Sequence, residues 1–200
     1  MAGAPWTKTV LVEIYVRQKK SAHEIATTYS CSDHKVNFWL AKYHIQKRSI
    51  SEAVYAKSNP NGDPFLFTPP HTKEESFLFG LGVGLYWGEG NKKNKNAIRL
   101  GNTDPYLQKR FLEFLVRFYN IPKWKFRFGL QIFSDMSPTE ALQFWSRTLG
   151  IPKKQFMKVI VTPARSIGTY REKTKHGVLT ICVCNKKLRD LLCGEIEKLQ

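Results

Sequence analysis

Glu89 is the residue of this sequence best placed to do chemistry. It is a lone carboxylate between Gly88 and Gly90, at the end of the run Phe77-Leu-Phe-Gly-Leu-Gly-Val-Gly-Leu-Tyr-Trp-Gly-Glu-Gly90. The run looks like a loop, but Gly80, Gly84 and Gly88 recur every fourth residue and so share one face of a helix. Phe77, Leu78, Leu81, Leu85, Tyr86 and Trp87 fill the other faces. Glycine costs roughly 1 kcal/mol against alanine inside a helix. Three on one stripe need a compensating gain, and close contact with a second helix backbone is the usual one. A carboxylate is electrostatically disfavoured at a helix C-terminus. A divalent cation would relieve that conflict, because hard cations take oxygen ligands.

The second chemical signal is charge. The 200 residues carry a formal net charge of +16, with a pI near 9.8. That balance favours a polyanionic partner, above all nucleic acid. A membrane surface is the weaker rival, because no long amphipathic basic helix is present. The longest apolar run, near residues 77–87, is too short to span a bilayer. The stretch Met1 to Trp6 lacks the apolar core of a signal peptide. The expectation is therefore a soluble, cytoplasmic, DNA-associated protein with no membrane partner. A hydrophobic content of 42%, with 13% aromatic, supplies a real core and excludes wholesale disorder. Cys31, Cys182, Cys184 and Cys193 include no Cys-x-x-Cys pair and read as reduced structural thiols.

Three segments position these groups. In residues 1–57, Thr7 to Gln18 reads as a helix with Val10, Leu11, Ile14 and Tyr15 facing inward. Ser21 to Tyr29 reads as a second helix opened by the capping box Ser21/Glu24, with Ile25 and Ala26 inward. Ser30-Cys31-Ser32 makes the turn. Asp33 to His44 is a third helix anchored by Val36, Trp39, Leu40 and Tyr43. Residues 58–73 read as a linker, because four prolines and the Asn-Gly-Asp turn chemistry oppose regular structure. Phe65, Leu66 and Phe67 interrupt it as candidate docking residues.

Residues 74–200 form the second domain. After the glycine helix comes a basic turn with Lys92 and Lys93, expected between two short strands, the second carrying Arg99. A helix from Pro105 to Tyr119 follows, with Leu107, Phe111, Phe114, Leu115 and Phe118 at helical spacing. From Lys123 to Ile132 the alternation predicts a strand. Lys123, Lys125, Arg127 and Gln131 share one face, and Trp124, Phe126, Phe128, Leu130 and Ile132 the other. No acid stands on the polar face, so it reads as a basic platform of the kind β-sheet readers lay on DNA. Further elements are a helix from Ser137 to Leu149, strands at 158–162 and 177–184, and a final helix at 186–199. The loop 165–176 is basic, with Arg165, Arg171, Lys173 and Lys175. The class is α+β, with helices backing a mostly antiparallel sheet.

Two resemblances follow from these residues. The string from Ser21-Ala-His-Glu-Ile-Ala through Cys31-Ser32 to Val36, Trp39, Leu40 and Ile45 resembles the helix-turn-helix of resolvase- and transposase-type DNA-binding domains. That resemblance makes Asp33 to His44 the helix that reads the major groove. By position it exposes Asp33, His34, Lys35, Asn37 and Phe38. Lys35 and Asn37 carry donors suited to base edges, Asp33 suits a cap, and Lys42, Lys47 and Arg48 suit phosphates. A three-helix protein-interaction module is the other reading of this segment. Its net charge of +5, nine basic residues against four acidic, favours DNA.

Residues 74–200 resemble the LAGLIDADG homing-endonuclease family. Its signature aligns on Gly82-Val-Gly-Leu-Tyr-Trp-Gly-Glu-Gly90, with Gly82 for the first leucine and Tyr86-Trp87 for Ile-Asp as departures. Asn102-Thr-Asp-Pro105 and the helix-then-strand order fit too. The resemblance implies a double-stranded DNA endonuclease in which two signature helices pack through small residues. Their carboxylates then hold Mg²⁺ at the scissile phosphates, and the sheet lies along the DNA. Only one signature is present, so it implies a homodimer on a near-palindromic site. Lys186 and Lys187, at a strand-to-helix junction, and Gln131 are candidates for a basic active-site partner, with surface or DNA-contact roles as the plainer reading. Two other functions remain open: a non-catalytic DNA-binding transcriptional regulator on the same fold, and a glycine-loop nucleotide binder. The second lacks a Gly-Lys-Ser/Thr end and a preceding strand.

Overall fold

A cap side chain starts every α-helix among the described residues, and those caps punctuate the fold. The computed structural model describes residues 6–164 and 174–199. It divides into two compact units, residues 1–64 and 65–200. Arg165, Arg171 and Lys173 lie outside the described residues.

The first unit begins with α1 (Lys8–Leu11), capped by Thr7, which runs on into a π-helical turn at Val12–Arg17. Widening of that turn accompanies an inner face of Leu11, Ile14 and Tyr15, whereas Val10, expected inside, is exposed. α2 (Ala22–Thr28) starts at the expected box: Ser21 Oγ accepts from the Glu24 N–H, and the Ser21 N–H donates to the Glu24 carboxylate. α3 (Asp33–Lys42) starts at Ser32. Ile25, Ala26, Val36, Leu40 and Ile45 close the core between them. The sequence reading missed α4 (Ile50–Ser58), which starts at a second capping box, Ser49/Glu52. It buries no side chain, so no strong apolar period announces it.

Residues 65–68 belong to the second unit rather than to a free linker. The Leu66 and Thr68 N–H groups donate to the carbonyls of Tyr119 and Phe118, at 3.1 and 2.8 Å. They satisfy carbonyls that the end of a helix leaves without partners.

α5 (Lys73–Glu89) is the glycine helix, capped by Thr72. It packs on α6 (Pro105–Tyr119) through Gly82, Val83 and Tyr86, and Tyr86 stacks on Phe111. A helix that holds Gly80, Gly82, Gly84 and Gly88 and is capped by Gly90 excludes the nucleotide-binding loop reading. The sheet comprises β1 (Ile98–Asn102), β2 (Arg127–Phe133), β3 (Ile160–Thr162) and β4 (Val178–Val183), in the order β1-β4-β2-β3. β4 pairs antiparallel with β1 and β2, while β2 and β3 are parallel, so the sheet is mixed. A parallel pair needs a crossover, and α7 (Pro138–Leu149) supplies it. α8 (Lys186–Glu197) closes the unit. Before β1 there is no strand of the expected pair, only a bridge between Gly90 and Leu100. The unit is α+β, with the helices packed on one sheet face around Phe111, Phe114, Phe118, Phe128, Trp145 and Ile181.

Candidate nucleic-acid interface and its carboxylate

Strand alternation sorts the sheet into two faces. Ile98, Leu100, Phe128, Leu130, Ile132, Leu179 and Ile181 enter the core. On the other face the register builds rows across strands. Arg99 lies opposite Cys182, and Cys182 opposite Arg127. The next row is Gly101, Thr180 and Gly129, and the one after it Val178 beside Gln131 and Ile160. Arg99, Arg127 and Gln131 are exposed, as expected. Cys182 is buried between the two arginines, and burial, with Cys184 adding to it, pushes its thiol pKa up. The middle of the row is therefore a neutral thiol, and the charge comes from the arginines alone.

Lys123 and Lys125 do not belong to this face. The predicted strand begins only at Arg127. Asn120 turns left-handed (φ 47°), and Pro122 opens a 3-10 turn at Lys123–Lys125. The ladder to β4 starts at the Arg127–Cys182 pair, so residues 123–126 have no strand to bond. Trp124, expected in the core, is 65% exposed as a result. Lys125 Nζ lies 4.6 Å from the centre of its ring.

A signal for this was present in the sequence as an internal echo. Ile121-Pro-Lys-Trp-Lys-Phe126 follows α6, and Ile151-Pro-Lys-Lys-Gln-Phe156 follows α7. Both begin after a left-handed residue (Asn120, and Gly150 with φ 63°), and both make a 3-10 turn before a strand. The buried Gln155 ties them together. Its Nε2 donates to the carbonyls of Lys123 (2.6 Å) and Phe126 (3.1 Å). Gln155→Leu would leave both carbonyls without that donor. We expect a loss of about 1–3 kcal/mol in urea unfolding; an unchanged midpoint would show that the turns hold together without it.

Glu89 ends α5 at the outer edge of β1. Gly90 bridges to Leu100, and the Asn91 N–H donates to the Arg99 carbonyl at 2.8 Å. The carboxylate is thus carried beside the strand that bears Arg99. Glu89 is exposed, and its side chain makes no hydrogen bond or ion pair with another described residue. Gly80, Gly84 and Gly88 are exposed along the same helix, and a Cβ at any of them would meet nothing within 4 Å. Within α5 the glycine in tight contact is Gly82, off the stripe, where a Cβ would fall 2.1 Å from the Phe114 ring. Phe77 and Trp87 also face outward on α5, so among the described residues of this unit no helix stands against the stripe and its flanks.

The remaining expected residues are scattered. Lys92 Nζ donates to the Trp87 carbonyl, and the Arg189 guanidinium to the Lys92 carbonyl at 2.7 Å, joining the end of α5 to α8. Lys93 and Lys175 are exposed. Lys186 is paired with Asp190 at 2.5 Å. Burial opposes ionisation of Asp190, but Lys186 and Arg189 hold its carboxyl below the ordinary range. Lys187 is exposed beside it, on the first turn of α8. In the first unit, His34, Lys35, Phe38 and Lys42 are exposed on α3 and Asn37 is half-buried. Lys35 and Lys42 each sit over an indole, that of Trp6 and of Trp39. Asp33 lies 3.2 Å from His23 Nδ1.

Comparison of the chain with protein-family profiles, with curated proteins and with solved structures finds no match. No helix among the described residues is long and apolar enough to cross a membrane.

Proposed function

We propose that the chain is a Mg²⁺-dependent, sequence-specific endonuclease of double-stranded DNA that acts as a homodimer. One observation carries this reading. The helix that ends in the free carboxylate of Glu89 leaves a bare glycine stripe outside, and it delivers that carboxylate to the sheet edge beside Arg99. A second copy packed on the stripe would bring two such carboxylates to one place. The basic residues of the far sheet face and of α3 would hold the DNA.

The donor set fits a metal only in that form. Among the described residues no three His, Cys, Asp or Glu side chains come together. A single chain offers the exposed Glu89 oxygens, and two chains would offer a pair of hard donors. Mg²⁺ bound there would stabilise charge on the reacting phosphate and lower the pKa of a bound water. The chain's own part is to hold the Glu89 carboxylates at the helix ends and to fix the phosphate backbone against Arg99, Arg127 and Gln131.

The test is a plasmid library carrying randomised sites, incubated with the full chain and Mg²⁺. The expected result is scission at one recoverable site by a species that sediments as a dimer. Site-specific binding without scission would sink the nuclease and leave the transcriptional regulator. A monomeric mass with and without target DNA would undo the homodimer.

A further inference from the structure

The paired 3-10 turns carry four lysines and an aromatic ring that the fold leaves outside. Lys123, Lys153 and Lys154 are exposed, Lys125 lies over Trp124, and the Arg127 guanidinium donates to the Trp124 carbonyl at 3.1 Å. Neither residues 119–134 nor residues 150–164 contain an acid. The turn that carries Trp124 is fixed, because Gln155 from the other turn holds the carbonyls of Lys123, its first residue, and of Phe126, just after it. A large aromatic ring on a braced turn among four lysines has the two components of single-strand recognition, a stacking platform and a phosphate-binding surround.

We propose that these turns form a binding site for an unpaired nucleotide of a DNA strand. The base stacks on the Trp124 ring opposite the Lys125 ammonium, and Lys123, Lys153 and Lys154 hold the flanking phosphates. A paired duplex keeps its base faces covered by neighbouring bases, so Trp124 selects a base that has left the stack. The site is separate from Glu89 and adjoins the Arg99–Cys182–Arg127 row only through Arg127. It rests on the reading of DNA as the partner.

The experiment compares three short fluorescein-labelled DNA duplexes in EDTA: fully paired, with a single bulged adenine, and with an abasic residue at the bulge. Anisotropy titrations with the full chain are expected to give about tenfold tighter binding of the adenine bulge than of its abasic twin. Trp124→Ala should erase that ratio, and Trp124→Phe should keep most of it. Trp124 is exposed, so both variants should melt as the wild type does. Replacing Lys123, Lys125, Lys153 and Lys154 by glutamine should weaken all three duplexes and lower the salt slope by about three. Equal binding of the two bulged duplexes by the wild type, or an unchanged ratio in Trp124→Ala, would overturn this site and leave the DNA reading standing. Failure to bind any of the duplexes would overturn both.

Discussion

Glu89→Gln is expected to lower Mg²⁺-dependent strand scission on the order of a thousandfold, with site-specific binding changed by no more than about threefold. A metal at the scissile phosphate supplies several kcal/mol of charge stabilisation, and each 1.4 kcal/mol is tenfold in rate. The amide keeps the size of the side chain and loses the anionic oxygens that a hard cation takes. The substitution is clean because Glu89 is exposed and holds no described partner. Removing a negative charge from the C-terminus of α5 should even favour that helix by a few tenths of a kcal/mol. A loss of activity with an unchanged melting curve and unchanged binding would therefore report on chemistry alone. Full cleavage by Glu89→Gln would remove the carboxylate from the reaction.

The largest expected effect on stability lies seven residues earlier on the same helix. Gly82→Ala would place its methyl group 2.1 to 2.6 Å from three ring carbons of Phe114. That ring is fully buried, among Phe79, Phe111, Phe118 and Tyr119, and has no room to move aside. Overpacking of this kind costs about 1–3 kcal/mol or more, and the gain in helix propensity returns only about 1. We expect a net loss of about 2 kcal/mol, or roughly 6 °C in Tm. Gly84→Ala, two positions on, meets open space and should raise the stability of an isolated chain by up to about 1 kcal/mol. Urea unfolding of the two variants should therefore move in opposite directions. If Gly82→Ala were neutral, α5 and α6 would not approach as closely as the Phe114 contact requires. If Gly84→Leu weakened self-association while leaving the monomer folded, the bare stripe would be the surface that a second copy covers.

Much of this was legible because it is local. Ser21 with Glu24, and Asp104 with Pro105, declare helix starts through hydrogen bonds that span three residues. The alternation from Phe126 to Ile132 declares two faces of a strand. α4 escaped because its capping box, equally plain in Ser49 and Glu52, precedes a helix that buries nothing. Trp124 was misplaced because alternation says which side chains would share a face, and a strand forms only where a neighbouring strand offers its ladder. β4 offers none before Arg127.

The sequence by itself determined the charge, the helix starts at Ser21, Ser32 and Pro105, and the four-residue spacing that puts Gly80, Gly84 and Gly88 in line with each other, close to Glu89. Only the tertiary structure decided which glycine is pressed. Phe114 arrives from a different helix and occupies the space beside Gly82, leaving the aligned three bare. Helical spacing fixes which residues share a face. What stands against that face is set by side chains from distant parts of the chain, and no spacing rule encodes them.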